Sequence, residues 1–252
     1  MKDWPTSYLG RLPIAQTDLD ASARGFVAEA LARRGKGLRP FYSTSANGQV
    51  LALCGKDPAF LALMRKADQI HADGTPMVLY SKMFSKTPLP ERVATTDLVH
   101  DVAQKAQEAG VSFYFLGATE EVNARAVEEM RSRYPKLVFA GRRNGYFSRD
   151  EEDAIVAEVN AAKPDILWIG LGVPLEQQFL HRNIDKLTVV GVVKTSGGLF
   201  DFISGKNSRA PHWMQASGVE WLYRLWLEPR RLAVRYLTTN PQALGALIRH
   251  SR

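Results

Sequence analysis

Asp73 is a candidate proton acceptor in this chain of 252 residues. It follows the apolar run 69–72, and Gly74 separates it from the helix-like segment 75–84. Ligands of parallel α/β sheets bind beyond the carboxyl ends of the strands, where a carboxylate can take a proton from a hydroxyl nucleophile. An aspartate before a helix also caps free N–H groups, so both interpretations stay open. His71, inside the apolar run, is expected to be packed rather than catalytic.

Small and polar residues follow two further apolar runs. Ser43, Thr44, Ser45 and Asn47 are expected to cluster after the first run, where hydroxyls and an amide can orient a sugar. The segment Gly170-Leu171-Gly172-Val173-Pro174 follows another run and can turn backbone N–H groups toward a phosphate. It lacks the last glycine of the dinucleotide-binding fingerprint. Both segments could also be ordinary turns, so neither defines a site by itself.

An alternation of strands and helices positions these residues. The predicted strands are the apolar runs 41–43, 69–72, 112–116, 138–141, 166–169 and 189–194. The predicted helices between and before them are 17–34, 58–66, 75–84, 97–109, 120–133, 149–162 and 174–183. This order predicts an α/β fold with a parallel sheet and helices on both faces. Asp18 and Asp20 are interpreted as carboxylates of a first helical turn, with a metal site as the alternative.

The composition limits the classes of protein to which the chain can belong. With 45% hydrophobic and 23% charged residues it is typical of globular proteins, which excludes disordered and fibrous classes. No apolar run approaches the roughly 18–20 residues of a membrane-spanning helix, and the N-terminus has no signal pattern. A cytoplasmic protein is therefore expected. The single cysteine, Cys54, is predicted to be a buried thiol.

Most of the excess positive charge lies near the C-terminus. After Gly205 there are eight basic residues against two acidic ones, which accounts for six of the seven net charges. Val219, Leu222, Tyr223 and Trp226 form one apolar helix face, and a second helix is predicted over 230–237. Aromatic residues beside arginines suit helices lying on a membrane. A helical hairpin packed on the core is the equal alternative at this point.

Short motifs occur along the chain in a defined order. They are Ala72-Asp73-Gly74; Glu91-Arg92-Val93 with Thr96-Asp97-Leu98; Asn144-Gly145-Tyr146-Phe147; Lys163-Pro164-Asp165; Gly198-Leu199-Phe200-Asp201-Phe202; and, in the tail, Arg209-Ala210-Pro211, Trp213-Met214-Gln215, Glu220-Trp221-Leu222-Tyr223-Arg224 and Glu228-Pro229-Arg230-Arg231. Over residues 38–241 the chain resembles the WecG/TagA/CpsF family of glycosyltransferases. Several motifs in one order are far more specific than any of them alone.

The resemblance implies an inverting, metal-independent enzyme without a cofactor, acting in cell-surface polysaccharide synthesis. Such an enzyme moves a hexose or N-acetylhexosamine from a UDP-sugar to a polyprenyl-diphosphate-linked saccharide. It implies a Rossmann-like core, here 1–204, and a C-terminal helical appendage, here 205–252, which docks on the inner face of the cell membrane. A homo-oligomer is expected to cover any apolar edge left exposed. No nucleic-acid partner is expected, because no motif for one occurs.

The resemblance also implies roles for individual residues. Asp73 becomes the catalytic base, with Ser45 where the family usually has a threonine near the sugar and Asn47 on the family's asparagine. Tyr146 and Asp201 match positions expected to contact the nucleotide. Without a metal, the charge on the departing diphosphate needs fixed donors, and the candidates are four arginines: Arg92, Arg224, Arg231 and Arg235.

Departures from the family pattern concern the donor. Glu176 stands where a glutamine commonly faces the donor, and Gly172 and Gln177 flank it at the same predicted contact. Ala94-Thr95-Thr96 replaces threonine-glycine-threonine. The donor therefore stays open among UDP-N-acetylmannosamine, its uronic acid and UDP-glucose, with a neutral hexose favoured. The alternative is a non-catalytic nucleotide-binding protein that its basic tail anchors to a membrane.

Overall fold

A single parallel sheet forms the centre of the computed structural model, which describes residues 4–211, 214, 219–227 and 229–251. Its strands are β3 (Phe41–Ala46), β4 (Gln69–Ala72), β5 (Ser112–Gly117), β6 (Val138–Arg143), β7 (Ile166–Gly170) and β8 (Val192–Thr195), after an antiparallel hairpin of β1 (Thr6–Leu9) and β2 (Leu12–Ala15). The order across the sheet is β4-β3-β8-β7-β5-β6, and every described pair is parallel. The predicted fold class is confirmed.

Helices cover both faces of the sheet. They are α1 (Leu19–Arg33), α2 (Gly48–Lys56), α3 (Pro58–Met64), α4 (Thr75–Phe84), α5 (Thr95–Ala109), α6 (Glu120–Arg133), α7 (Glu152–Ala162), α8 (Leu175–Asn183), α9 (Leu199–Ile203), α10 (Glu220–Leu227) and α11 (Pro229–His250), with 3₁₀ turns at Arg149–Glu151 and Ile184–Lys186. Successive β5 side chains show the two-sided burial. Phe113 and Phe115 pack in a cluster with α1, α5 and α6, whereas Tyr114 and Leu116 pack with α7 and α8.

Several boundaries differ from the sequence prediction. Ser43, Thr44 and Ser45 lie inside β3 and not after it, because pairing with β4 and β8 extends that strand. The β1–β2 hairpin, α2 and α9 were not predicted. Helix α2 begins directly after Asn47, whose side chain accepts a hydrogen bond from the N–H of Val50 and so caps the helix.

Cys54 lies on α2 as a free, buried thiol, as predicted. Burial raises its pKa to about 12.

The two C-terminal helices each fit a different interpretation of the tail. Helix α11 is longer than predicted and continues through Pro241, because Ala243 and Leu247 are buried one turn apart against α2 and the hairpin. Helix α10 instead leaves Leu222 48% and Trp226 76% exposed. The second half of the tail thus packs on the core, while α10 presents apolar side chains outward. The boundary at 204/205 stays a prediction.

Asp165 lies just before β7, at the edge of the sheet opposite Asp73. Its carboxylate accepts hydrogen bonds from Arg34 Nε at 2.7 Å and Nη2 at 2.8 Å, and from the N–H and hydroxyl of Ser112 at 2.8 and 2.9 Å. Burial opposes the charged form, but these hydrogen bonds outweigh it and hold the pKa of Asp165 below its ordinary value. This carboxylate joins the end of α1 to β5 and β7.

Candidate active site

The candidate site lies where β4, β3, β8 and β7 end side by side. The chain passes from β3 to β4 at one side of the sheet and then crosses to β5 and β6 at the other, and β7 and β8 fill the space between. Such a reversal of strand order opens a crevice at the carboxyl ends, which is the usual ligand site of this architecture.

Asp73 follows β4 at this edge and does not cap the helix after it. Gly74 occupies the N-cap position of α4, and no side chain caps that helix. The backbone N–H of Asp73 donates to Ala46 O at 2.8 Å, and its Oδ2 accepts from the N–H of Thr95 at 3.4 Å. Asp73 therefore does not cap α4, the helix that follows it, and its partly buried carboxylate accepts instead from the first residue of α5.

Lys194 is a site residue to which the sequence analysis gave no role. It lies on β8, its side chain is 0% exposed, and its Nζ donates to Ser45 Oγ at 2.7 Å. Ser45 Oγ lies 3.1 Å from Thr95 Oγ1, and the N–H of Thr95 is bonded to Asp73. A continuous chain of polar contacts thus runs from Lys194 to Asp73. The sequence signal for this residue was a lysine at the end of the apolar run 189–194, because ligands bind where the strands end.

Glu176 is a second buried carboxylate whose charge acts on Lys194. It is 2% exposed at the start of α8, and its carboxylate accepts from the N–H of Gly197 at 2.9 Å and from Gln177 Nε2 at 3.3 Å. Burial raises the pKa of Glu176 to about 7, although these N–H groups and Lys194 oppose the shift. Burial also lowers the pKa of Lys194 to about 8, against Asp73 and Glu176, which raise it. Glu176 and Lys194 therefore influence each other's charge beside the crevice, and Gln177 is hydrogen-bonded to Glu176.

Burial also dominates the electrostatics of Asp73. It raises the pKa of Asp73 above its ordinary value, while Arg92, Lys194 and the N–H of Thr95 favour the ionised form. Glu220, on α10, acts in the same direction as burial. A raised pKa suits a general base, which must be ionised and still able to hold a proton.

Arg92 joins the core to the appendage. Its Nη1 donates to Glu220 Oε2 at 3.0 Å, and its Nη2 lies 3.5 Å from Asp97 Oδ2. Arg209 also forms an ion pair with Asp97. The appendage therefore contributes the charge of Glu220 to the surroundings of Asp73, and Arg92 is held between two carboxylates, those of Glu220 and Asp97.

The remaining predicted residues lie further along the edge or outside the described side chains. Tyr146 is 77% exposed after β6, and a side chain at Gly145 before it would meet Gly117 and Leu171. Asp201, on α9, pairs with Lys206 at 3.1 Å. Gly172 has φ +81° in the turn after β7. The side chains of Arg224, Arg231 and Arg235 and of Trp221, and the whole of Trp213, lie outside the described residues.

The two aspartates considered for a metal have other partners. Asp18 caps α1 by accepting from the N–H of Ala21 at 2.6 Å, and Asp20 pairs with Arg24 and with Lys105. Within the part of the chain that the structure describes, no group of three or more His, Cys, Asp or Glu side chains could hold a metal ion. Asp18 therefore stabilises the start of α1, and Asp20 joins α1 to α5.

His71 is packed, as predicted. Its ring is fully buried beside Phe26, and its Nδ1 lies 3.4 Å from Ser43 Oγ. Burial holds the pKa of His71 well below its ordinary value, so the ring is neutral at neutral pH.

Comparison with known proteins decides the family. The model of the glycosyl transferase WecG/TagA/CpsF family matches residues 8–252. The chain belongs to this glycosyltransferase family. A protein of Bacillus spizizenii is 30% identical to this glycosyltransferase over 244 residues, which cover 95% of this chain and 91% of the relative. A protein of Staphylococcus aureus strain MRSA252 is 29% identical over 194 residues, which cover 76% and 74%. Both relatives are named N-acetylglucosaminyldiphosphoundecaprenol N-acetyl-beta-D-mannosaminyltransferase.

Proposed function

We propose that this glycosyltransferase moves a hexose or N-acetylhexosamine from a UDP-sugar to a hydroxyl of a polyprenyl-diphosphate-linked saccharide. The observation that carries the proposal is Asp73, a carboxylate with a raised pKa at the open carboxyl edge of the sheet. The acceptor class is supported by the names of the relatives, which act on a diphosphoundecaprenol-linked sugar. The sugar in these names is N-acetylmannosamine, and its UDP derivative is one of the donors considered. Glu176 at the predicted donor contact is the reason to test neutral hexoses as well.

The proposed reaction is a single displacement with inversion. Asp73 accepts the proton of the acceptor hydroxyl while that oxygen attacks the anomeric carbon. The bond from this carbon to the β-phosphate oxygen breaks, and UDP leaves with the electron pair. Positive side chains near the leaving diphosphate stabilise its charge in place of a metal, and Arg92 with the tail arginines are the proposed donors.

A panel of sugar donors tests the reaction and distinguishes a glycosyltransferase from a non-catalytic nucleotide-binding protein. Purified protein is incubated with a lipid-diphosphate-linked N-acetylglucosamine acceptor and, separately, with UDP-N-acetylmannosamine, UDP-glucose, UDP-N-acetylglucosamine or UDP-glucuronic acid, with and without EDTA. We expect mass spectrometry to find one added hexose or N-acetylhexosamine and an unchanged rate in EDTA. UDP binding without product from any donor would favour the nucleotide-binding alternative.

Helix α10 supports the proposed place of action at a membrane surface. Leu222 and Trp226 are exposed on it, in a tail whose net charge is strongly positive. Apolar side chains beside cationic ones bind anionic lipid surfaces. Among the described residues, no helix is long and apolar enough to cross a bilayer. We therefore propose peripheral docking through the appendage at the inner face of the cell membrane.

A vesicle assay with a matched control tests the docking. Leu222→Ser combined with Trp226→Ser is expected to reduce sedimentation with anionic vesicles about tenfold or more, because two large apolar contacts are lost. Val138→Ser is the matched control. Val138 is 53% exposed on β6, the edge strand farthest from β4, and its replacement is expected to leave vesicle binding unchanged. If the double variant instead breaks up a homo-oligomer in sedimentation velocity and still binds vesicles, this face covers a second copy of the chain.

A further inference from the structure

Lys194 presents a physical question that the proposed reaction does not answer. A lysine that is 0% exposed loses the hydration of its charge, and such groups occur in proteins when they are paired and hydrogen-bonded. Lys194 donates to Ser45 Oγ, and its charge faces two carboxylates, Asp73 and Glu176. Its place on β8 beside β3 is central in the sheet and next to the crevice.

We infer that Lys194 is a positioning residue of the transfer reaction, which keeps Asp73 ionised and fixes the hydroxyl of Ser45. This inference rests on the proposed function, since it assigns Lys194 to the surroundings of the proposed base. Ser45 Oγ accepts a hydrogen bond from Lys194 Nζ. The hydroxyl hydrogen of Ser45 is therefore directed to another partner, either Thr95 Oγ1 at 3.1 Å or a bound sugar. The positive charge meanwhile offsets the cost of burying the carboxylate of Asp73.

Glu176 supplies the second part of the inference. Its carboxylate is buried, and the positive charge of Lys194 balances the negative charge that Glu176 adds. Removing one member of a buried charge pair leaves the other without compensation, whereas removing both together is often close to neutral for stability. Replacing Glu176 and Lys194 together is therefore expected to keep the fold and still take the positive charge away from Asp73.

The groups that face Asp73 and Lys194 fix the direction of the expected pH effect. Arg92, Lys194 and the N–H of Thr95 lower the pKa of Asp73, while burial and Glu220 raise it. His71, on β4, also faces Lys194 but is neutral at neutral pH. Loss of the lysine charge therefore raises the pKa of Asp73. Because the base must be ionised, kcat/KM then falls at the acidic end of the pH profile.

The test compares pH profiles of kcat/KM for four proteins: wild type, Lys194→Met, Lys194→Arg and the double variant Glu176→Gln with Lys194→Met. We expect the acidic limb of Lys194→Met to move up by about one pH unit or more, with recovery of rate at high pH. Lys194→Arg keeps the charge, and its limb is expected to stay at the wild-type position. The double variant is expected to unfold close to the wild-type denaturant concentration and still show the moved limb.

The double variant keeps the inference falsifiable if Lys194→Met does not fold. Its profile also assigns the limb to Asp73, because Glu176 no longer titrates. A limb at the wild-type position in the double variant would overturn the inference, since Lys194 would then serve only to neutralise Glu176. A fall of rate by the same factor at every pH would also overturn it and leave Lys194 a purely structural role.

A second measurement does not depend on activity. Carboxyl-carbon NMR of aspartate-labelled protein follows the titration of Asp73, and Asp73→Asn identifies its signal. We expect this signal to titrate at higher pH in the double variant than in wild type, and an unmoved titration would overturn the inference. If wild type transfers no sugar from any donor while the titration moves, the proposed reaction fails and the effect of Lys194 on Asp73 stands.

Discussion

Asp73→Asn is expected to reduce sugar transfer by roughly 10²- to 10⁴-fold, the usual contribution of a general base. Asparagine has nearly the shape of aspartate, and its side-chain oxygen can still accept from the N–H of Thr95. It cannot take a proton from the acceptor hydroxyl at neutral pH. Initial rates with the donor chosen by the panel measure the loss, and calorimetry with UDP is expected to give an affinity within about twofold of wild type.

Asp153→Asn is the matched control for this experiment. Asp153 lies on α7, its side chain is 81% exposed, and its described partner is Lys186. The same chemical change at this position is expected to leave the rate of transfer unaltered. Wild-type activity in Asp73→Asn would remove Asp73 from the mechanism, and equal losses of UDP binding and rate would make it a ligand-binding residue instead.

The second large effect concerns stability, at the opposite edge of the sheet. Asp165→Ala is expected to lower the free energy of unfolding by about 3 kcal/mol, because it leaves the N–H of Ser112 without its acceptor and removes the carboxylate from the guanidinium of Arg34, which keeps, among the described residues, only Gly110 O. Urea unfolding measures the difference. Asp153→Ala removes an exposed ion pair and is expected to change stability by less than about 0.5 kcal/mol.

The stabilisation by Asp165 is expected to depend on pH in one direction. The folded-state pKa lies below the ordinary value of 3.8, so the contribution is complete above that value and is lost as the pH falls through the folded-state pKa. The stability difference between wild type and Asp165→Ala should therefore be constant from neutral pH down to about pH 5 and shrink in more acidic solution. A difference that persisted undiminished in strong acid would contradict the ionised hydrogen-bonded carboxylate.

Local patterns predicted the sheet strands and most of the helices because both faces of the sheet are buried. Strand β4 and helices α4 and α6 begin and end at the predicted residues. Uninterrupted apolar runs indicate strands buried on both sides, and helices of regular periodicity must cover them. The β1–β2 hairpin gave no such signal, since its short strands gain their stability from β4, α4 and α11, which are distant in sequence.

The same contrast applies to the candidate site. The order of short motifs determined the family, and the position of Asp73 after a strand determined that a carboxylate lies at the ligand edge. Only the tertiary structure decided which charges surround it. Lys194 is distant from Asp73 in sequence, and its charge acts on both Asp73 and Glu176 because β8 lies beside β3 and α8 begins at the same edge. Burial and charge depend on these long-range neighbours, so the electrostatics of the site follow from the fold and not from any local pattern.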